Sequence, residues 1–244
     1  MTWLAAPWRQ ESCVSKTQLN HLLAVAGRTV YATGAFEGWP YRFASAFDSR
    51  TGRRTSWQPR PDGEVHAVAA DGNSVLLGGQ FYGVGGKHRA MLAALNIKTG
   101  AVMDWTPAVI GGGVDSLALA GSTLYVGGSF TRASGQPRRG LAAFDLRTRR
   151  LSAWYPGKPR GLEGSNYGVQ AVVPSGRVVY LGGDFTGIGG QQRFGFAAVD
   201  ANSGGLLPLA PHLPRRPLPA TGAGRRARGA ENYSAGRTAL CHAA

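Results

Sequence analysis

The residues with most scope for chemistry recur once per repeat of this chain. His21, His66, Asp115 and Gln170 each stand one place after the residue that opens an apolar run, and all four are polar. Gathered at one end of a central channel, they could hold an ion or a small polar ligand. A second set, Gln80, Ser129 and Asp184 with Ala35, follows the same spacing. Plain alternation on a half-buried strand also puts a polar residue at every second place, and that blander reading takes precedence for both sets. There is no HExxH, no regular His-Asp-Ser arrangement and no recognisable carboxylate dyad. The two cysteines, Cys13 and Cys241, lie near opposite ends without a partner at metal or redox spacing. No catalytic residue, metal ligand or cofactor is therefore expected.

A further candidate is electrostatic. The chain carries 27 Lys and Arg against 13 Asp and Glu, a formal charge of +14. Such a balance favours anionic partners without choosing among nucleic acid, acidic polysaccharide and a membrane surface. Arginine-rich usage in a genome biased to G and C would produce the same composition. The densest cluster is Arg132, Arg138, Arg139, Arg147, Arg149 and Arg150. Within it, Arg138, Arg139, Arg149 and Arg150 are the candidate contacts to an anionic polymer. The interleaved Phe130 and Phe144 have the pattern of core residues rather than stacking platforms, and a solvated face accounts for the charges more simply.

The elements that must position these residues form a repeat. Phe36, Phe81, Phe130 and Phe185 each close a segment of the type Gly-Gly-x-Phe, written Thr33-Gly34-Ala35-Phe36 in the first copy, at spacings of 45, 49 and 55 residues. In the last three copies an Asn or Asp follows the Phe by 15 residues (Asn96, Asp145, Asp200), and a closing position follows by 24 (Trp105, Trp154, Leu209). The first copy is three residues shorter and has Asp48 and Trp57 there. A period of about 40 to 50 residues is that of a four-stranded propeller blade. Each copy reads as four short apolar runs joined by turns such as Ala120-Gly121-Ser122 and Thr99-Gly100, which makes a meander too small to stand alone. The paired glycines predict a bulge or a close backbone approach, and the Trp is predicted to fill the gap between blades.

These boundaries divide the chain into a leader or partial blade (1–19), blades at 20–59, 65–107, 114–156 and 169–211, and a tail at 212–244. The link 157–168 is predicted to be an exposed loop. The tail holds six arginines, one acid (Glu231) and no strand or helix period, so disorder is expected there. Loss of the closing Trp at Leu209 is where the frame or the domain is expected to end. Residues 1–19 lack a basic start and an apolar run of seven, so no signal peptide is expected, and no stretch is apolar enough for a membrane span.

Blade three, with Leu124 to Phe130, Thr131, Gly135, Arg138, Leu141 to Asp145, Trp154 and Pro156, resembles the propeller repeats of secreted actinobacterial proteins, of the form LYVGGxFTxxxGxxRxxLAAxDxxTGxLxxWxP. Similar repeats occur in the fungal cortical cell-polarity marker family. The resemblance covers about residues 20 to 211. It implies a β-propeller that binds or displays, in an extracellular or cell-envelope setting. Asp48-x-x-Thr51-Gly52 and Asn96-x-x-Thr99-Gly100, each followed by a Trp, also resemble the tryptophan-docking motif of quinoprotein propellers. Four residues instead of three separate Thr-Gly from the Trp, and no adjacent cysteine pair accompanies the motif, so no quinone cofactor is implied.

The expectation is thus an all-β, propeller-like array of about four four-stranded blades, possibly incomplete as a ring, serving as a non-enzymatic binding or protein-interaction module. Its partner would be a protein or a glycan, with nucleic acid ranked below both. The alternatives are a binder of an anionic polymer, and an enzyme with a glycan-active or quinone-dependent site at the channel mouth.

Overall fold

Two apolar runs separated by a turn of two or three residues can do little but pair, and each copy of the repeat begins that way. In the computed structural model, which describes residues 22–34, 43–161 and 168–208, these runs form the inner half of four antiparallel sheets. Blade one comprises Leu22–Ala26, Thr29–Gly34 and Phe43–Asp48. Blade two comprises Glu64–Ala70, Ser74–Gln80 and Leu92–Asn96. Blade three comprises Val114–Ala120, Thr123–Gly128, Leu141–Asp145 and Arg150–Leu151. Blade four comprises Val169–Ser175, Val178–Gly183 and Phe196–Asp200. The chain is an all-β propeller-like array. The predicted leader, the end of blade four and the tail lie outside the described residues.

The first hairpin of three blades turns on a glycine with positive φ, Gly27 at 59°, Gly121 at 57° and Gly176 at 58°. Blade two uses a different device. There the Asp71 carboxylate accepts from the backbone N–H groups of Asn73 and Ser74 at 2.8 and 2.6 Å, an Asx-type turn that closes the loop without positive φ. Outer turns combine both devices: Asp48, Asn96, Asp145 and Asp200 accept from the N–H two residues on at 2.8 to 3.0 Å, and Gly52, Gly100, Arg149 and Gly204 take positive φ.

Four strands per blade were predicted; among the described residues blade three has a fourth strand, of two residues, and in the others it shrinks to a single bridge, Phe47 to Arg54, Leu95 to Val102 and Val199 to Leu206. Where a closing Trp follows, local bonds bend the chain out of the sheet: Trp57 N–H to Thr55 Oγ1, Trp105 N–H to Met103 O and Trp154 N–H to Ser152 Oγ.

Blades pack face to face through three apolar clusters, one per junction. Small residues on the leading face of one blade (Ala44 and Ala46, Ala94, Ala143) meet branched residues on the trailing face of the next (Val75 and Leu77, Leu124 and Val126, Val179 and Leu181). Polar tips of two aromatics tie the junctions together. Tyr31 and Tyr125 donate through their hydroxyls to the carbonyls of Ile97 and Ala201 in the following blades, at 3.1 and 3.2 Å. Trp105 and Trp154 donate through Nε1 to Arg149 O and Asp200 O at 2.9 and 3.1 Å. The Tyr and Trp of one blade also meet edge to face, with centroids 5.0 Å apart for Tyr31 and Trp57 and 4.8 Å for Tyr125 and Trp154.

Blade two breaks this scheme with Leu76 at the tyrosine position, and a cavity of about 100 Å³ remains beside Leu76, Trp105, Leu146 and Arg149. Leu76→Tyr is expected to fill the gap and reach the Leu146 carbonyl, the counterpart of Ile97 O and Ala201 O. It should raise stability by about 1 kcal/mol, seen as a higher urea midpoint. Trp154→Ala, by contrast, is expected to cost roughly 3–5 kcal/mol in the same titration.

Candidate functional site

Paired glycines in the second strands decide where the site lies. Gly78, Gly127 and Gly182 are followed by Gly79, Gly128 and Gly183, and the register of the first strand slips opposite each pair: between Val65 and Ala67, at Gly127 and Gly128, and between Val169 and Ala171. The residue left over in each slip is His66, Asp115 or Gln170. A β-bulge carries one unpaired residue and re-aims its side chain. Only glycine permits the bulged strand to come so close, because a Cβ at Gly79, Gly128 or Gly183 would collide with the backbone of Glu64, Gly113 or Gly168.

These three residues are therefore brought together, across blades, by bulges rather than by strand alternation. The precedence given to alternation is corrected on this point. His66 Nδ1 lies 3.2 Å from Asp115 Oδ1 of the next blade, and its Nε2 lies 3.1 Å from Glu64 Oε2. Gln170 donates through Nε2 to Asp184 Oδ2 at 2.6 Å. Asp115 and Gln170 share a cavity of about 570 Å³ with Gln80, Tyr82, Met91, Ser129 and the loop Gly111-Gly112-Gly113. Ser129 Oγ holds that loop by accepting from Gly113 N–H at 3.1 Å. His21 and Ala35 lie outside the described residues.

Both nitrogens of His66 face carboxylates. Its hydrogen bond to the accepting Asp115 carboxylate raises its pKa above the usual imidazole value of 6.5, burial opposes this, and Glu64 adds to the rise. The imidazolium so favoured bridges two blades. Among the described residues no group of three or more His, Cys, Asp or Glu is placed to hold a metal ion.

Sequence reasoning missed Glu64, Tyr82 and the triple glycine. The signal for the first was present, since a bulge opposite Gly78-Gly79 turns two neighbouring residues, Glu64 and His66, toward the same end. Tyr82 is 64% exposed beside the cavity, and nothing in its spacing separates it from a loop aromatic.

The four arginines divide by role. Arg138, one of the candidate polymer contacts, is engaged within its own blade. Its guanidinium donates to Pro137 O and Ser152 O at 3.1 and 3.4 Å and lies 4.9 Å from the Tyr155 ring centroid. Arg89 and Arg193 do the same in blades two and four, through His88 O and Met103 O, and Gln192 O and Leu207 O. This arginine straps the outer hairpin of a blade to its closing segment. Arg139, Arg149 and Arg150 are exposed, the first after the hairpin and the other two on the outer turn. Arg149 holds φ at 58° where the other blades have glycine, and its carbonyl receives the Trp105 indole.

No protein-family profile matches the sequence, and no curated protein does. Several solved structures are similar in fold. The computationally designed Ika4 protein is 19% identical with a TM-score of 0.43, over 66% of this chain and 82% of that one. BamB from Moraxella catarrhalis is 20% identical with a TM-score of 0.45, over 76% of this chain and 46% of its own. Kuenenia stuttgartiensis hydrazine synthase is 16% identical with a TM-score of 0.46, over 81% and 51%. The chain thus spans about half the length of the latter two. Among the described residues no helix is long and apolar enough to cross a membrane.

His66 binds its proton more tightly folded than unfolded, so its contribution to stability is full below the unfolded value near 6.5 and is lost as pH rises through the folded one. His66→Gln should therefore lower the urea midpoint at pH 5.5 and converge on the unsubstituted protein by pH 9. A deficit that is constant across this range would show that the imidazolium is not what bridges the blades.

Proposed function

We propose that the chain is a non-enzymatic binding module whose ligand enters the channel mouth, and that this ligand is hydroxyl-rich and either neutral or cationic, such as a neutral glycan or an amino sugar. The observation that carries the reading is the convergence of two bulge residues, Asp115 and Gln170, on one polar cavity of about 570 Å³, with the third, His66, bonded to Asp115. The cavity walls offer acceptors in Asp115 and the Ser129 hydroxyl, amides in Gln80 and Gln170, and one exposed ring in Tyr82; the Asp184 carboxylate bonds Gln170 and the Glu64 carboxylate bonds His66. A few convergent polar groups with an aromatic wall suit an oriented polar ligand. The carboxylates make the mouth locally acidic on a chain of formal charge +14, which disfavours an anionic ligand at this spot. The likeness of the repeats to the secreted actinobacterial family and the fungal cortical markers supports binding over turnover.

Titration calorimetry of the full chain against neutral and amino-sugar oligosaccharides tests this. Saturable binding is expected, reduced about tenfold or more by Asp115→Asn or Tyr82→Ala, since each removes a contact worth about 1.4 kcal/mol or more. Binding of heparin that weakens steeply with salt, falls on replacing Arg139, Arg149 and Arg150, and leaves the oligosaccharides unbound would favour the anionic-polymer reading instead.

A further inference from the structure

The two end faces of the array are the two halves of a blade junction. On the trailing side of blade one, Leu23 and Val25 are 66% and 65% exposed, whereas Val68 and Val172, the counterparts of Leu23 in blades two and four, are 9% and 4% exposed against a preceding blade. On the leading side of blade four, Val173 and Phe194 are 55% and 52% exposed, whereas Ala69, the counterpart of Val173 in blade two, is 8% exposed. Tyr180 stands in register with Tyr31 and Tyr125, yet among the described residues no blade follows to accept from its hydroxyl. It stacks instead on Phe196, with centroids 6.0 Å apart. Gly182 repeats the point. A Cβ at Gly78 or Gly127 would strike the next blade, but at Gly182 it would meet only Ala171 of its own sheet, at 3.5 Å.

We infer that the leading face of blade four takes the trailing face of blade one from a second copy of this chain. Every internal junction has the same construction, with a leading face carrying Tyr or Leu at one fixed position and a trailing face of branched aliphatics. The described residues present one of each unpaired. The Tyr180 hydroxyl then has a defined acceptor, the carbonyl of Ser49 in the second copy, which is the register counterpart of Ile97 O and Ala201 O. Because the two faces differ, the contact is heterologous: it closes into a ring if the rotation allows and otherwise extends. Apolar exposure on both faces supplies the driving force, while the positive charge of each copy opposes association and is screened by salt.

The test is light scattering and sedimentation of the full chain at two salt concentrations, with Val25→Asp and Phe194→Asp as separate variants. Both sites are exposed, so circular dichroism should report an unchanged fold. Discrete or extended association of the unsubstituted chain is expected, stronger at 0.5 M salt than at 0.1 M (about these values, chosen from the screening length), and weakened about 100-fold or more by either variant. Mixing the two variants is expected to restore association, since one intact face survives on each partner. A monomer at all concentrations overturns the inference. So does association lost in one variant alone or not rescued by mixing, which would place a like face on a like face.

Discussion

The absence of two side chains in the second strand of blades two to four is the constraint from which the rest follows. The first glycine of the pair lets the next blade approach: Val114 fills the space where a Gly78 Cβ would stand, and Val169 with Val172 does so at Gly127. The second lets the first strand buckle into a bulge. Packing between blades and the composition of the channel mouth are thus set by neighbouring positions: at Gly79, Gly128 and Gly183 a methyl group would meet backbone, and at Gly78 and Gly127 it would meet the Val side chains of the next blade.

Around this constraint the repeat divides labour by depth. Inner strands bulge and carry variable polar residues, His66, Asp115 and Gln170, so the mouth differs at every blade although the backbone does not. Middle strands exchange small for branched apolar residues across each junction. The periphery is held by charge and polarity close to solvent: an Asx turn at the outer edge, an arginine strap from hairpin to closing segment, and indole and phenol donors reaching the neighbour. The conserved geometry lies in donors to backbone carbonyls, which accept irrespective of the side chain they belong to. That is why Trp105 can dock on Arg149 O and Trp154 on Asp200 O.

The site and the end faces draw on this division differently. At the mouth, the bulges of blades two to four each release one side chain, and the polarity there depends on which residues occupy those places. The end faces of the described blades depend on no special residue, since they repeat the construction of the internal junctions.

Much of the fold was legible in the chain, because periodicity at 45 to 55 residues, turn glycines and the closing Trp are each local in sequence. The glycine pairs even announced a bulge. The sequence could not show which residue the bulge would release, since a slip of one place exchanges the two faces of a strand, and His66, Asp115 and Gln170 look like ordinary alternation until the register is known. Nor could it separate Arg138 from Arg139. Both are arginines in a basic run, and only the tertiary structure brings Pro137 O, Ser152 O and the Tyr155 ring around one of them. Local pattern determined that there would be blades. Contacts between residues tens of positions apart decided which polar groups meet, because those distances depend on how neighbouring blades pack.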